Sequence, residues 1–314
     1  MGRFRVFNAN GLYAPGESAW RIIHPIIFLN HDILEQQLQQ ISEQQKALWN
    51  KSSPGWKKWS DMNMDFLKPF GDEIIRHLDL KDADVVLDVA AGTGEPGLTI
   101  ATMLKSGKVI ITDLADEMLV IAYENAARAG IKNVEFSACD VSELPFEDDS
   151  FDAISCRLGF MFFPDMLLAA REMVRVLKPG GKIATSVWGT PDKNFWFAGT
   201  MDVIKKHMDI PLPAPESPGI FRCAKEGMMA ELFAQAGLKN IEQAEISGKL
   251  NVRTTETYWN FMTEVVGPVV SALGQVDSES KERIRAELCQ VVQHKYPSGN
   301  LMMEGSALII SGEK

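Results

Sequence analysis

The chain has 314 residues, 46% of them hydrophobic, enough to bury a sizeable core in one large domain or one domain with an appended cap, which excludes a disordered chain. Its formal charge at pH 7 is −10, with seven Lys/Arg against four Asp/Glu in residues 1–60 and 25 against 38 thereafter; the body is acidic, and no nucleic-acid partner held through its phosphates is expected. Four cysteines (Cys139, Cys156, Cys223 and Cys289) stand far apart with no C-x-x-C pair, so neither a metal site nor a disulfide framework is expected, and a cytoplasmic location fits best.

In chain order, residues 1–60 read as an N-terminal helical extension. The opening MGRFRVFNANGLYAPGESAWRIIHPIIFLNH has early arginines, but Asn8, Asn10, Gly11 and Pro15 break up any signal-peptide core. Its apolar segment Trp20–Leu29, interrupted by Pro25, reads as a strap packed on the protein surface; peripheral membrane contact is the second reading. No run of 18 apolar residues occurs, so no transmembrane segment is expected. A Gln-rich amphipathic helix is expected over Asp32–Trp49, followed by the link WNKSSPGWKKWSDM.

Over residues 61–190 strand-like and helix-like segments alternate. Strands are expected at Val85–Val89, Lys108–Thr112, Val134–Ala138 and Phe151–Cys156, with a fifth in KPGGKIATSVW. Helices are expected at Pro96–Leu104, at Asp116–Ala129 with Gly130 as its stop, and at Asp165–Leu177. Such alternation means right-handed crossovers and a parallel sheet covered on both faces, the doubly wound α/β class. Residues 191–230 pair an amphipathic helix with a proline-rich loop, Pro211–Pro218, and read as a lid insertion. Residues 231–314 complete the sheet with a strand in NIEQAEISGKL, a helical insertion at about 254–297 (Thr255–Leu273 and Ser278–Tyr296) and a final strand in SALIISG.

The chemistry is concentrated in LDVAAGTGEPGLTIA, residues 87–101, where Gly92, Gly94 and Gly97 form a Gly-x-Gly-x-x-Gly loop between a strand and a helix. Alone this is a weak signal, because any tight strand-to-helix turn uses glycines for geometry. Asp113, ending the next strand, stands where a carboxylate accepts both hydroxyls of a ribose, so an adenosine-containing ligand is expected, either a dinucleotide or S-adenosyl-L-methionine. Asp88, four residues before Gly92, favours the latter, since a carboxylate there can orient the loop and help hold an ammonium group, which NAD lacks. Asp140, after the third strand, stands where an adenine amino group would lie, although alone it reads equally well as a cap or turn former.

The segments VVLDVAAGTGEPG, ITDLADEML, ACDVSELPFEDDSFDAISC and REMVRVLKPGGKIATSVW, in order and spacing over about Trp56–Trp188, resemble the class I S-adenosylmethionine-dependent methyltransferases. Within the class the chain is most similar to the ubiquinone/menaquinone biosynthesis C-methyltransferase branch and its small-molecule relatives, a likeness that PGWKKWSDMN and TYWNFMTEVVGP extend. The resemblance implies a Rossmann-like sheet, mostly parallel with an antiparallel last strand, plus a helical cap. It also implies S-adenosyl-L-methionine as cofactor, with Asp88, Gly92, Thr93 and Gly94 at its methionine end, Asp113 on the ribose, Met118 on the adenine face and Asp140 on the adenine amine. Ala90, Leu114, Val141 and Arg157 would line the same pocket.

After the fourth strand stands CRLGFMFFPD, in place of the Asn/Asp-Pro-Pro-aromatic element of nucleic-acid amine methyltransferases. Phe160, Phe163, Trp188 and Trp196 are expected to face a flat hydrophobic substrate, although at least two residues of Gly159–Phe163 should be plain core packing. The expected activity is in-line transfer of a methyl group to a small aromatic or lipophilic acceptor, quinone-like or polyketide-like. An NAD(P)-dependent oxidoreductase and a non-catalytic S-adenosylmethionine-binding protein are the competing readings. Sequence names no catalytic residue, acceptor atom or oligomeric state. His77 and His294 read as structural or surface residues, and His24, His31, His207, Tyr13 and Tyr258 point no more firmly to chemistry. A helical cap with Trp20, Phe28, Trp196, Met201 and Trp259 on its inner face is expected to close the pocket.

Overall fold

The computed structural model describes residues 17–210 and 217–314, with side chains from Glu35 onward. The chain divides into two compact units, residues 1–41 and 42–314. Of the first unit, residues 17–41 are helical and belong to α1 (Glu17–Lys58). Tyr13, the side chains of Trp20, His24, Phe28 and His31, and most of the proline-rich loop lie outside the described residues.

Helix α1 runs past the expected end at Trp49 and through Pro54. Proline cannot donate to the carbonyl four residues back, which here is that of Asn50. The Ser53 hydroxyl takes that carbonyl instead, at 2.9 Å, so the break expected from the proline is avoided. Helix α2 (Ser60–Leu78) follows, and its apolar face buries Phe66, Leu67, Phe70, Ile74 and Leu78.

The second unit is built on a seven-stranded sheet of β1 (Val85–Asp88), β2 (Lys108–Asp113), β3 (Val134–Ala138), β4 (Phe151–Arg157), β5 (Leu177–Trp188), β6 (Lys239–Arg253) and β7 (Leu301–Glu313), in the order β3-β2-β1-β4-β5-β7-β6. The pairs among β1–β5 are parallel, and β7 runs antiparallel to both neighbours, β5 and β6. This is the mostly parallel, doubly wound sheet with an antiparallel last strand. Strand order reverses between β1 and β4, where sheets of this class open a crevice at the strands' carboxyl ends.

Strands β6 and β7 are longer than their apolar cores suggested, because they pair with each other from Lys239 with Glu313 to Arg253 with Leu301. The remaining helices are α3 (Gly97–Met103), α4 (Asp116–Ala129), α5 (Met166–Val176), α6 (Phe195–His207), α7 (Met228–Gln235), α8 (Thr255–Val265), α9 (Gly267–Leu273) and α10 (Ser278–Lys295). The single helix expected over Thr255–Leu273 is two, broken at Val266, since Pro268 has no N–H for the Glu264 carbonyl.

That freed carbonyl faces Gly55 near the end of α1, where an added Cβ would lie 1.9 Å from its oxygen. Around this contact the Trp56 indole donates to the Val265 carbonyl at 3.2 Å, and Trp59 and Lys58 both reach the Glu264 carboxylate, at 2.8 and 2.7 Å. The two stretches PGWKKW and TEVVGP thus form a clasp between α1 and the α8–α9 break. Deeper in the core, Phe66 stacks on Trp188 with ring centroids 5.5 Å apart and meets Trp196 edge-on at 5.6 Å, while Phe70 meets Trp188 at 5.5 Å. Asn194, wholly buried, fixes the start of α6 by donating to the carbonyls of Thr190 and Ser306 and accepting from the Ser306 N–H and the Trp196 indole.

The clasp has a direct test. Replacing Gly55 by Ala puts a methyl group into the Glu264 carbonyl and must push the two helical segments apart, so Gly55→Ala is expected to lower unfolding free energy by about 1–3 kcal/mol or more. Urea unfolding followed by tryptophan fluorescence reads this, and an unchanged midpoint would show that the contact is loose.

Candidate active site

The site lies at the carboxyl ends of β1, β2, β3, β4 and β5, where one pocket takes its lining from the loops that leave β1–β4 and from Trp188 at the end of β5. Its floor is the loop after β1. Ala90, Gly92 and Gly94 all have positive φ, of 51°, 56° and 107°, so the loop turns tightly before α3 begins. The glycines do different things. A Cβ on Gly92 would meet nothing within 4 Å, leaving its backbone open to the pocket. A Cβ on Gly94 would meet Leu98 and Ala122 at 2.8–3.2 Å, and one on Gly97 would lie 2.7 Å from Asp88 Oδ2.

Asp88 is fully buried. Its Oδ2 accepts the Gly97 N–H at 2.8 Å and its Oδ1 accepts the Ser155 hydroxyl at 2.6 Å, so it ties β1 to β4 and to the start of α3. Loss of solvation is the largest influence on this carboxyl and pushes it up to about 7, against the opposing pull of Ser155, Gly97 and the charge of Arg157. Asp113 Oδ2 accepts the Gly92 N–H and its Oδ1 the Ala115 N–H, both at 2.8 Å. Burial holds its carboxyl above the ordinary range despite these donors. Asp140 is likewise engaged, with Oδ1 accepting from the Ser142 N–H and hydroxyl and Oδ2 accepting the Ser42 hydroxyl of α1 at 2.7 Å.

The pocket brings together most of the residues singled out from sequence. Ala90, Gly92, Thr93, Asp113, Leu114, Met118, Asp140, Val141 and Arg157 line its wall, as do Phe163, Trp188 and Trp196. Three do not, and each has a physical reason. Asp88 is spent on Gly97 and Ser155, so it holds the loop from behind. Gly94 turns toward Leu98 and Ala122, a packing position. Phe160 lies in the 3₁₀ turn Phe160–Phe162 and packs on Phe233, with centroids 5.7 Å apart, leaving its neighbour Phe162 on the pocket wall instead.

Other expectations resolve similarly. His77 bonds Ser311 through Nδ1 at 3.0 Å, His207 pairs with Glu287 at 2.7 Å, and Tyr258 is buried against the Thr200 hydroxyl and the Trp196 carbonyl. Among the described residues no histidine or tyrosine lines the pocket. Met201 and Trp259 are half-buried against the core and off the pocket wall. All four cysteines are free, and no cluster of metal-ligating side chains occurs among the described residues.

Sequence reasoning missed Glu95 and Asn63, and also Ser42, Gln45, Trp49 and Trp56 of α1, all of which line the pocket. Glu95 carried a signal, an acid inside the glycine loop; Ser42, Gln45 and Trp49 come from a stretch with no motif, and Trp56 stands in PGWKKWSDMN, which marks the family likeness without pointing to the pocket. Arg157, nine-tenths buried on the pocket wall, makes no hydrogen bond or ion pair among the described residues, and burial lowers its pKa although Glu95 and Asp88 pull the other way. A cationic group, a neighbouring acid, a ribose-type carboxylate and an apolar Met118 shelf form a donor set that fits a zwitterionic adenosine ligand.

The comparisons with known proteins agree with this geometry. The ubiE/COQ5 methyltransferase family matches residues 60–194. A demethylmenaquinone methyltransferase of Bacillus mycoides is 30% identical over 189 residues, which cover 56% of this chain and 78% of the relative. The uncharacterized protein Rv1405c of Mycobacterium tuberculosis is 27% identical over 259 residues, 81% of this chain and 89% of its own. Among solved structures, that of the [4+2]-cyclase SpnF superposes with a TM-score of 0.56 at 19% identity, covering 87% of this chain and 96% of that one, a likeness of fold alone. The chain belongs to the class I S-adenosylmethionine-dependent methyltransferases, in the ubiE/COQ5 methyltransferase family. It is an enzyme with S-adenosyl-L-methionine as its cofactor. Family membership overturns both competing readings, the NAD(P)-dependent oxidoreductase and the non-catalytic binding protein.

Two measurements probe the cofactor half. Asp113→Ala removes the carboxylate expected to accept the ribose hydroxyls together with the anchor of Gly92, and is expected to weaken S-adenosylhomocysteine binding by about 1.5–3 kcal/mol in calorimetry; unchanged affinity in a folded variant would remove Asp113 from the site. Asp88 titrates near 7 when folded and near 4 when unfolded, so the folded state binds its proton more tightly. Its stabilising contribution is therefore complete below about pH 4 and lost as pH rises through 7. Asp88→Asn should flatten that decline, and parallel urea midpoints for the two proteins between pH 5 and 8 would contradict it.

Proposed function

We propose that the enzyme transfers the methyl group by in-line displacement to a small aromatic or lipophilic acceptor of quinone-like shape. The observation that carries this reading is the aromatic wall of the pocket beyond the cofactor loop, formed by Trp49, Trp56, Phe66, Phe162, Trp188 and Trp196. Trp49 meets Phe162 edge-on with centroids 5.0 Å apart and Trp56 at 6.2 Å, so these rings brace one another into a slot suited to a flat molecule. The 30%-identical relative, a demethylmenaquinone methyltransferase, lends support to a quinone-like acceptor.

S-adenosylmethionine, when bound, supplies an electrophilic methyl group on its sulfonium. The protein's part is to hold and align. Arg157 would take the methionine carboxylate and Glu95 the ammonium group; the open backbone at Gly92 and Thr93 would flank that end. Asp113 would hold the ribose hydroxyls, and Met118, Leu114 and Val141 would enclose the adenine, with Asp140 beside its amine. The aromatic wall keeps water from the reacting atoms and fixes the ring of the acceptor, and such alignment supplies most of the rate in a displacement of this kind.

A small-molecule acceptor in place of a nucleic acid accords with the net charge of −10. The unpaired cysteines support a reducing, cytoplasmic setting, and among the described residues no helix is long and apolar enough to cross a membrane.

Incubation with methyl-labelled cofactor and two acceptor panels, reduced naphthoquinones and small polar amines, tests the reading; label entering only the amines would overturn it. Trp49→Ala is expected to raise KM for a quinol acceptor about tenfold while leaving cofactor affinity within about threefold, through loss of one slot wall.

A further inference from the structure

Asn63 stands on the α2 face that carries Phe66 and Leu67, and all three line the pocket. The residue is only 2% exposed, and among the described residues its side-chain amide makes no hydrogen bond, leaving Nδ2 a buried donor without a partner. A desolvated amide left unpaired is costly, and native folds keep few of them.

Nδ2 needs an acceptor, and the side chains around this part of the wall offer none: the indoles of Trp56 and Trp196 carry only N–H donors, bonded to the Val265 carbonyl and to Asn194, and Phe66, Leu67 and Phe261 present carbon surface. The charged end of the pocket lies elsewhere on the same helix. A Cβ on Gly71 would be 3.8 Å from Arg157, and Gly71 is eight residues, about 12 Å of helix, beyond Asn63. The other orphaned amide atom of the wall, Gln45 Oε1, is one turn from Ser42, which is bonded to Asp140, and so belongs with the adenine end.

The structure assigns Asn63 the recognition of a ring hydroxyl on the methyl acceptor. An amide offers a donor and an acceptor in one plane, the complement of a hydroxyl that both accepts and donates. The acceptor class narrows accordingly, from flat apolar molecules to hydroxylated aromatic ones, with the unsubstituted ring in the tryptophan slot and the hydroxyl against α2. This assignment rests on the aromatic-acceptor reading above. A site built to bond a hydroxyl discriminates strongly against the analogue that lacks it, because the buried amide is then left unpaired.

The test compares 1-naphthol with naphthalene, which share one ring system and differ by the hydroxyl. Full-length protein with saturating S-adenosylhomocysteine is titrated with each, following tryptophan fluorescence, for the wild type, Asn63→Leu and Asn63→Ala. The ratio of the naphthol to the naphthalene Kd is expected to rise tenfold or more in both variants, with naphthalene bound as well as before and S-adenosylhomocysteine affinity within about twofold. An unchanged ratio, or an equal loss for both ligands, overturns the assignment to Asn63 while leaving the aromatic slot intact. Failure of the wild type to bind either ligand overturns the aromatic-acceptor reading and this one with it. If Asn63→Leu loses S-adenosylhomocysteine binding through misfolding, Asn63→Ala decides.

Discussion

The cofactor half of the molecule depends on one buried carboxylate. Asp88, at the end of β1 and without solvent contact, can be kept there only because its two oxygens meet the Gly97 N–H and the Ser155 hydroxyl. The first bond requires α3 to begin almost in contact with β1, which is why residue 97 has no side chain. With strand and helix drawn so close, the eight intervening residues must turn back on themselves, and Ala90, Gly92 and Gly94 absorb the turn at positive φ. The same turn brings the Gly92 N–H to Asp113 at the end of β2 and opens its backbone to the pocket. A carboxylate off the pocket wall thereby shapes the loop that lines it.

The acceptor half rests on packing between segments distant in sequence. Its wall includes Trp49 and Trp56 from α1, Asn63 and Phe66 from α2, Trp188 from β5, and Val265 and Pro268 from the α8–α9 break. These are held in register by the close contact of Gly55 with the Glu264 carbonyl and by the bond from Trp56 to Val265. Proline supplies the logic at both ends of this clasp. Pro268 frees a carbonyl and breaks one helix, whereas Pro54 frees another that Ser53 recaptures so that α1 continues.

These two halves differ in how much of them the sequence displays. The glycine loop, Asp113 and the alternation of strands with helices are legible because their contacts are short-range or follow from periodicity; Gly97 is nine residues from Asp88, and Gly92 is 21 from Asp113. The direction of a side chain within that legible frame is less so. From sequence Asp88 reads both as a brace for the loop and as a partner for an ammonium group, because a backbone N–H and an ammonium ask for the same carboxylate; the bond to Gly97 displays the first of these roles. Phe160, Met161, Phe162 and Phe163 form an unbroken apolar run with no period to read, and the 3₁₀ turn sends Phe160 to Phe233 and Phe162 to the pocket. Trp56 and Val265 are 209 residues apart, and no local pattern announces that they meet.

That division has a functional logic. The family match spans residues 60–194, the stretch that builds the glycine loop and Asp113, and it ends where α6 begins. The α1 tryptophans and the α8–α9 break, which line the proposed acceptor slot, stand outside it. A methyltransferase has two ligands with opposite demands: an invariant zwitterion that needs fixed backbone geometry and charge, and an acceptor that needs shape and a dry surface. Placing the first in a tightly wound loop and the second among helices packed over it lets the acceptor wall be rebuilt, side chain by side chain, without disturbing Asp88 and the loop it holds. Asn63 and Phe66 sit on a helix that, like α1, serves both, since its Gly71 end approaches Arg157 while its amino-terminal turns line the aromatic part of the pocket. On the proposed assignments, helix α2 would set the distance between the charged end of the cofactor and the ring of the acceptor, and with it the alignment that a displacement needs.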